Sequence, residues 1–278
     1  MFRVKHLLLI CCLAFSVMAA DDYVQSGGVL TVAEGKRLIA KSIAQLPEVK
    51  KAMAEGVVII CRGTTDTYVA EELTGEKFPH GPFTTGKVYP AKNAKKVAGQ
   101  GSIPEIVLVN GKWDKELSIM DALEKLKPGD VVIKGANALD YEHKLAGVCI
   151  GAPDSGTTGK FMPYVVARKA HLIIPVGLEK QVTTDLITLS KKMTEPVESV
   201  GYVPSMFLLN GHIVTELEAV RAFADVEVFD AASGGVGGAE GSTWLVVRGS
   251  KEQVQKAMDV ITSVQGEKPF ADVEEQED

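Results

Sequence analysis

The residues with the clearest chemical potential lie in the stretch VVIICRGTTDTYVAEEL, residues 57–73. An apolar run from Val57 to Cys61 ends in Arg62-Gly63-Thr64-Thr65, and a helical pattern follows at once. A buried strand that turns at a glycine into a helix leaves the first N–H groups of that helix without carbonyl partners. Those groups, with the positive end of the helix dipole, attract an anion. Gly63 lets the backbone approach a ligand closely, Thr64 and Thr65 add hydroxyls, and Arg62 adds a fixed positive charge. The simpler reading is a tight strand–helix turn with a polar cap. The order strand, glycine, hydroxyls, helix favours the anion site.

A second segment is VVIKGANALD, residues 131–140. Lys134 closes an apolar strand and so emerges at the carboxyl edge of a sheet. Gly135 permits an unusual turn, Asn137 can bond backbone or ligand, and Asp140 is a candidate acid or base near His143 and Lys144. A hairpin whose polar groups satisfy one another explains the same residues equally well. Residues 151–160, GAPDSGTTGK, precede a helix but lack the Gly-Lys-Ser/Thr arrangement of a Walker loop, and an ordinary solvent loop accounts for them. In SGGVGGAEGS, residues 233–242, Glu240 stands alone among glycines as a candidate nucleophile or base. A flexible hairpin loop is the favoured reading there. The five histidines show no metal-ligand spacing, and no serine or cysteine sits in a triad context. No metal or cofactor is expected, and the catalytic residues stay unassigned beyond Asp140 and Glu240.

The elements that must position these residues follow an α/β rhythm. Thr31-Val-Ala-Glu34 is a capping box that opens a helix with Leu38, Ile39, Ser42, Ile43 and Leu46 on one face. Pro47 restarts it as a second helix that ends at Gly56. Strands are predicted over 57–61, 106–110, 131–134, 145–150 and 171–176, with helices over 66–73, 118–127, 161–169 and 183–193. This alternation implies an α/β fold, a mostly parallel sheet with helices on both faces. Ligands in such sheets sit at the carboxyl ends of strands, where Gly63, Gly135 and Gly151 all fall. Residues 74–105 interrupt the rhythm with four prolines and the lysines Lys92, Lys95 and Lys96. A loop of that length is functional or an insertion, and its lysines read more simply as a solvated surface. Strands over 205–209, 226–230 and 243–248 with helices over 215–224 and 250–264 predict a small C-terminal α+β layer, a ferredoxin-like βαββα. The expected organisation is a signal peptide over 1–20, an α/β domain over 21–200, the α+β domain over 201–268, and an acidic disordered tail over 269–278.

Arg62-Gly-Thr-Thr65 followed by a helix resembles the phosphate loop of the ribose-5-phosphate isomerase, sugar-phosphate deaminase and CoA-transferase-like superfamily. Lys134-Gly-Ala-Asn-Ala-Leu139 is similar to the Lys-Gly-Gly-rich segment of the isomerases. The glycines before Glu240 faintly resemble a CoA-transferase segment whose glutamate is the nucleophile. The isomerases' Asp-Gly-Ala-Asp-Glu segment and the deaminases' Asp and His pattern do not occur in this chain. The resemblance, over roughly residues 30–190, therefore implies the fold and a pocket for an anionic small molecule rather than either activity.

The N-terminus reads as a targeting segment. Arg3, Lys5 and His6 precede the apolar run Leu7 to Phe15, which is too short to span a bilayer, and small residues near Ala19 and Ala20 suit cleavage. Arg3 and Lys5 would leave with the signal, so the formal charge of −6 becomes −8. So acidic a chain is a poor partner for nucleic acid or an anionic membrane, and no other run is long enough for stable membrane insertion. Cys61 and Cys149 would remain, read as two buried thiols or, where their strands are neighbours, as a disulfide. The reading reached is a secreted or periplasmic α/β protein that binds a small anionic or polyol ligand. Its contact residues are Arg62, Gly63, Thr64, Thr65, Lys134, Gly135 and Asn137, with the 151–159 turn nearby. An isomerase- or transferase-like enzyme and an interaction scaffold built on residues 74–105 are the alternatives. The sequence names neither a protein partner nor an oligomeric state. N-terminal sequencing of the exported protein should begin near Ala20 or Asp21; an intact Met1 in an exported, membrane-free product would contradict the signal.

Overall fold

The structure is a computed structural model that describes residues 23–86, 88–90, 92 and 99–270. The expected signal peptide, most of the acidic tail, and Lys95 and Lys96 lie outside the described residues. The central layer is a six-stranded sheet in the order β10 (His212–Val214), β8 (His171–Pro175), β5 (Val131–Ile133), β2 (Val57–Ile60), β3 (Ile106–Val109) and β4 (Lys112–Trp113). The first four run parallel, and β3 and β4 add antiparallel pairs at one edge. The protein is thus an α/β protein with a mostly parallel sheet. VVII and VVI occupy the two middle positions as their unbroken apolar character requires. Val131, Val132 and Ile133 are all fully buried. Successive strand residues face opposite ways, so both faces of the sheet are covered.

Helix starts follow the sequence signals. Helix α1 (Val32–Ile43) opens on the Thr31–Glu34 capping box, with Thr31 N–H donating to Glu34 Oε2 at 2.7 Å. Helix α2 (Pro47–Glu55) begins on its proline, which needs no partner for a missing N–H. Helices α4 (Ile119–Lys125), α6 (Leu186–Thr194) and α8 (Lys251–Thr262) are capped by Ser118, Asp185 and Ser250. Helix α7 (Glu216–Arg221) opens on a second capping box, Thr215 with Glu218. Helix α3 (Thr64–Thr74) and helix α5 (Gly156–Arg168) have no side-chain cap. Among the described residues no helix is long and apolar enough to cross a membrane.

The C-terminal third departs from expectation. Strand β9 (Ser205–Leu209) joins β6 (Ala138–Asp140) and β7 (Leu145–Ile150) in an antiparallel sheet beside the main one. Strand β10 extends the main sheet. Strand β12 (Thr243–Ser250) pairs on one side with the N-terminal β1 (Tyr23–Leu30), on which α8 packs, and on the other with β11 (Glu227–Ser233). The three strands expected to form a ferredoxin-like layer are therefore divided between two sheets, the unexpected β10 joins the third, and the boundary near residue 200 is crossed by β7–β9, β8–β10 and β1–β12 pairings. Strands β9, β10 and β12 each find a hydrogen-bonding edge far away in sequence, and β11 pairs with its neighbour β12.

One ion cluster fixes α3, the helix that carries the candidate site. Arg37 on α1 donates from Nη2 to Glu71, from Nη1 to Glu72 at 3.0 Å and from Nε to Glu267 at 2.8 Å. Its guanidinium lies 4.5 Å from the Tyr68 ring centroid. The segment after α8 is thereby strapped to α1 and α3, with Gly266 N–H donating to Glu34 at 2.7 Å. Arg37→Ala would leave the Glu71 carboxylate buried without its main partner. It should lower unfolding free energy by about 3–5 kcal/mol in urea titrations; a loss of less than about 1 kcal/mol, the range of an exposed pair, would contradict this role.

Candidate anion-binding site

The carboxyl ends of β2, β5 and β8 deliver their next residues to one side of the sheet. After β2 come Cys61, Arg62 and Gly63, and the chain enters α3. After β5 come Lys134 and Gly135, and after β8 a single 3-10 turn, residues 178–180, brings Lys180 to the same edge. Between them is a cavity of about 260 Å³. Its wall includes Arg62, Gly63, Thr64, Thr65, Lys134, Gly135 and Asn137, the whole set expected from sequence, together with Asp66 and Lys180.

The start of α3 faces this cavity unclosed. The first N–H of the helix ladder is that of Thr67, which donates to Gly63 O at 3.0 Å. The N–H groups of Thr64, Thr65 and Asp66 precede it, and no side chain caps them. Asp66 occupies the third helical position, from which a carboxylate usually folds back onto the N-cap N–H. Here that N–H, Gly63, donates to Phe83 O at 3.1 Å. The Asp66 side chain turns away and its Oδ2 accepts from Gly135 N–H at 3.1 Å. A Cβ on Gly63 would overlap this carboxylate, and one on Gly135 would stand 3.0 Å from it. Both loop glycines thus make room for one side chain.

Two buried polar atoms at the cavity, Thr65 Oγ1 and Asp66 Oδ1, have no partner among the described residues. Thr65 is 2 % exposed and Asp66 fully buried. An unmade hydrogen bond at such a site costs about 1–3 kcal/mol, so these atoms mark where a ligand or water belongs. Burial pushes the Asp66 carboxyl up to about 6, against the opposing pull of Lys134, of the Gly135 N–H and of Lys180.

The cations are held differently. Among the described residues, Lys134 Nζ reaches only Arg62 O, at 3.5 Å, and Lys180 Nζ donates to Ala136 O at 2.8 Å. Arg62 is more committed: it donates to Glu105 Oε1 at 3.1 Å and to Gly101 O at 3.1 Å. Glu105 also accepts from Thr157 at 2.8 Å. Asn137 spends its side-chain carbonyl on Cys149 N–H at 2.9 Å, which holds the β6–β7 pair together.

Other expected residues lie elsewhere. Asp140 accepts from His143 N–H, the His143 ring and Leu186 N–H. Burial raises its pKa, but those bonds outweigh it and hold the carboxyl below its ordinary range. It is a structural pin outside the cavity wall. Glu240 is exposed on the β11–β12 loop and accepts from Gly238 N–H at 3.0 Å. The 151–159 turn reaches the site only through Thr157 on Glu105; its first residues border a separate groove with Tyr202 and Phe207. Cys61 and Cys149 are both free thiols.

No family model, curated protein or solved structure matches this chain. The site must be read from its own atoms.

Asp66 and Lys180 are the members that the sequence reading missed. Lys180 comes shortly after the strand at 171–176 as Lys134 closes that at 131–134, so the carboxyl-edge rule reaches it. Asp66 looks like any acidic residue in a first helical turn. Its raised pKa has a measurable consequence. The folded state holds the Asp66 proton to a higher pH than the unfolded chain does, so this group subtracts stability as pH rises from the ordinary carboxylate range through about 6. The loss should be on the order of 3 kcal/mol, and Asp66→Asn should remove it. Urea titrations of both proteins between pH 4 and 8 measure it; an identical pH slope in the two would contradict the buried ionisation.

Proposed function

We propose that this chain binds a small anion at the carboxyl edge of its central sheet. The observation that carries the reading is the uncapped start of α3, with the buried Thr65 hydroxyl beside it without a partner among the described residues, opening into a cavity flanked by Lys134 and Lys180. Backbone N–H groups at a helix start supply fixed partial positive charge, and the lysines supply full charges that nearby carboxylates neutralise only in part. The sequence resemblance to the ribose-5-phosphate isomerase and CoA-transferase-like superfamily enters on the same footing, as a proposal about ancestry. Export to the periplasm or medium is proposed on the basic and apolar N-terminal segment alone.

A ligand that binds only the folded state raises the melting temperature with concentration. Phosphate, sulfate and small organic acids form the first screen. Lys134→Ala and Lys180→Ala should each weaken the best anion by roughly ten- to a hundredfold, as expected for a charge-assisted contact of about 1.5–3 kcal/mol. Thr65→Val should cost about tenfold or less. All three should melt near the parent protein. Arg62→Ala should instead lose stability, because Glu105 would keep only its bond to Thr157. Unchanged anion affinity in both lysine variants would eliminate the site.

A further inference from the structure

A carboxylate is an odd tenant for an anion site. It offsets the lysines, and an asparagine could accept equally well from Gly135 N–H. Yet Gly63 and Gly135 both give up side-chain space to seat it. The polar atoms on the cavity wall divide unequally. The residues that line it carry many donors: the N–H groups of Thr64, Thr65 and Asp66, the Thr65 hydroxyl, Lys134, Lys180 and Arg62. The buried carboxylate acceptor without a partner among the described residues is Asp66 Oδ1. Its Oδ2 is already spent on Gly135 N–H, which fixes the orientation of the group.

We propose that the cavity selects an oxyanion that keeps a proton of its own, inorganic hydrogen phosphate, whose O–H donates to Asp66 Oδ1 while its other oxygens accept from the helix start and the lysines. The proposal rests on the anion-site reading above and sharpens it. Sulfate has the same tetrahedral shape but carries no proton at neutral pH. Against an ionised Asp66 it would set two acceptors of like charge together with nothing between them. A site built to bond a ligand O–H rejects the analogue lacking it far more strongly than a change of shape alone would achieve.

The discrimination is pH-dependent with a defined sign. The groups that face Asp66 are Lys134 beyond β5 and Lys180 from the turn after β8, with the Cys61 thiol at the end of β2, on which Arg62 and Glu105 also act. Glu105 is tied to Arg62 and Thr157. With Asp66 titrating near 6, the carboxylate is ionised at pH 8 and excludes sulfate. At pH 5 it is protonated, can donate from Oδ1, and tolerates sulfate.

Calorimetric titration of the purified protein with inorganic phosphate and with sulfate, at pH 8 and at pH 5, tests this. Phosphate should bind about a hundredfold or more tighter than sulfate at pH 8, and the ratio should fall below about tenfold at pH 5. Asp66→Asn, whose amide can donate to either anion, should bring the ratio at pH 8 to within about threefold. If that variant does not fold, the two pH values on the parent protein decide alone. Equal binding of both anions to the parent at pH 8 would overturn the selection while leaving the anion site standing. So would tighter binding of glycerol 3-phosphate than phosphate at pH 8, where the ester has lost its phosphate proton. Binding of neither anion would overturn the phosphate selection and leave the organic acids of the screen to decide the anion site.

Discussion

The arrangement at the sheet edge depends on where the Asp66 carboxylate points. In a common helix start an acidic residue at this position folds back and closes the turn. Asp66 instead reaches across to the loop after β5 and accepts from Gly135 N–H. One hydrogen bond therefore joins the ends of the two middle strands of the sheet. The first N–H groups of α3 lack a side-chain cap because its N-cap, Gly63, has no side chain to offer. The other helices of comparable length mostly close themselves, α1 with Thr31, α6 with Asp185 and α8 with Ser250. Helix α3, like α5, is open where these three are sealed.

Such an arrangement is costly for stability, and the surrounding structure offsets it. A buried carboxylate loses its hydration, and the proximity of Lys134 and Lys180 recovers part of that. Fully apolar strands hold the loops in place from below: Ile59, Ile60, Val132 and Ile133 are completely buried. From the far end, α3 is clamped by Glu71 and Glu72 on Arg37, and Arg37 in turn holds the segment after α8 through Glu267. The polar edge is thus supported by a core and a strap that take no part in its chemistry. Asp140, expected as a catalytic candidate, belongs with that support: all its bonds go to the turn after β6 and to the start of α6.

The parts of this fold that could be read from sequence are those specified by neighbouring residues. The runs VVII and VVI could only be buried strands, and the Thr31, Ser118 and Ser250 caps announced their helices. The α3 turn was recognisable because strand, glycine and hydroxyls stand in order. Pairings between distant segments left no such trace. Strand β1 contains Gly27 and Gly28, which break an apolar pattern; their bareness makes sense only beside Trp244 on β12 and Ile261 on α8, which approach where a Cβ would stand. Strands β10 and β6 are three residues each, too short for a periodic signal. Helix α5 begins at Gly156, inside a Gly-Thr-Thr-Gly run with the composition of a loop. Asp66 was invisible for a different reason: its residue type fits a routine helix start, and only its contact with a loop some seventy residues later gives it another role.

The most direct test of the open helix start is to follow backbone amide resonances while inorganic phosphate is added. The account predicts that the N–H signals of Thr64, Thr65 and Asp66 move together and saturate at one concentration. The capped first turns of α4 and α8, represented by Asp121 and Gln253 N–H, should stay still because Ser118 and Ser250 already occupy them. Motionless α3 amides, or equal shifts at every helix start, would contradict it.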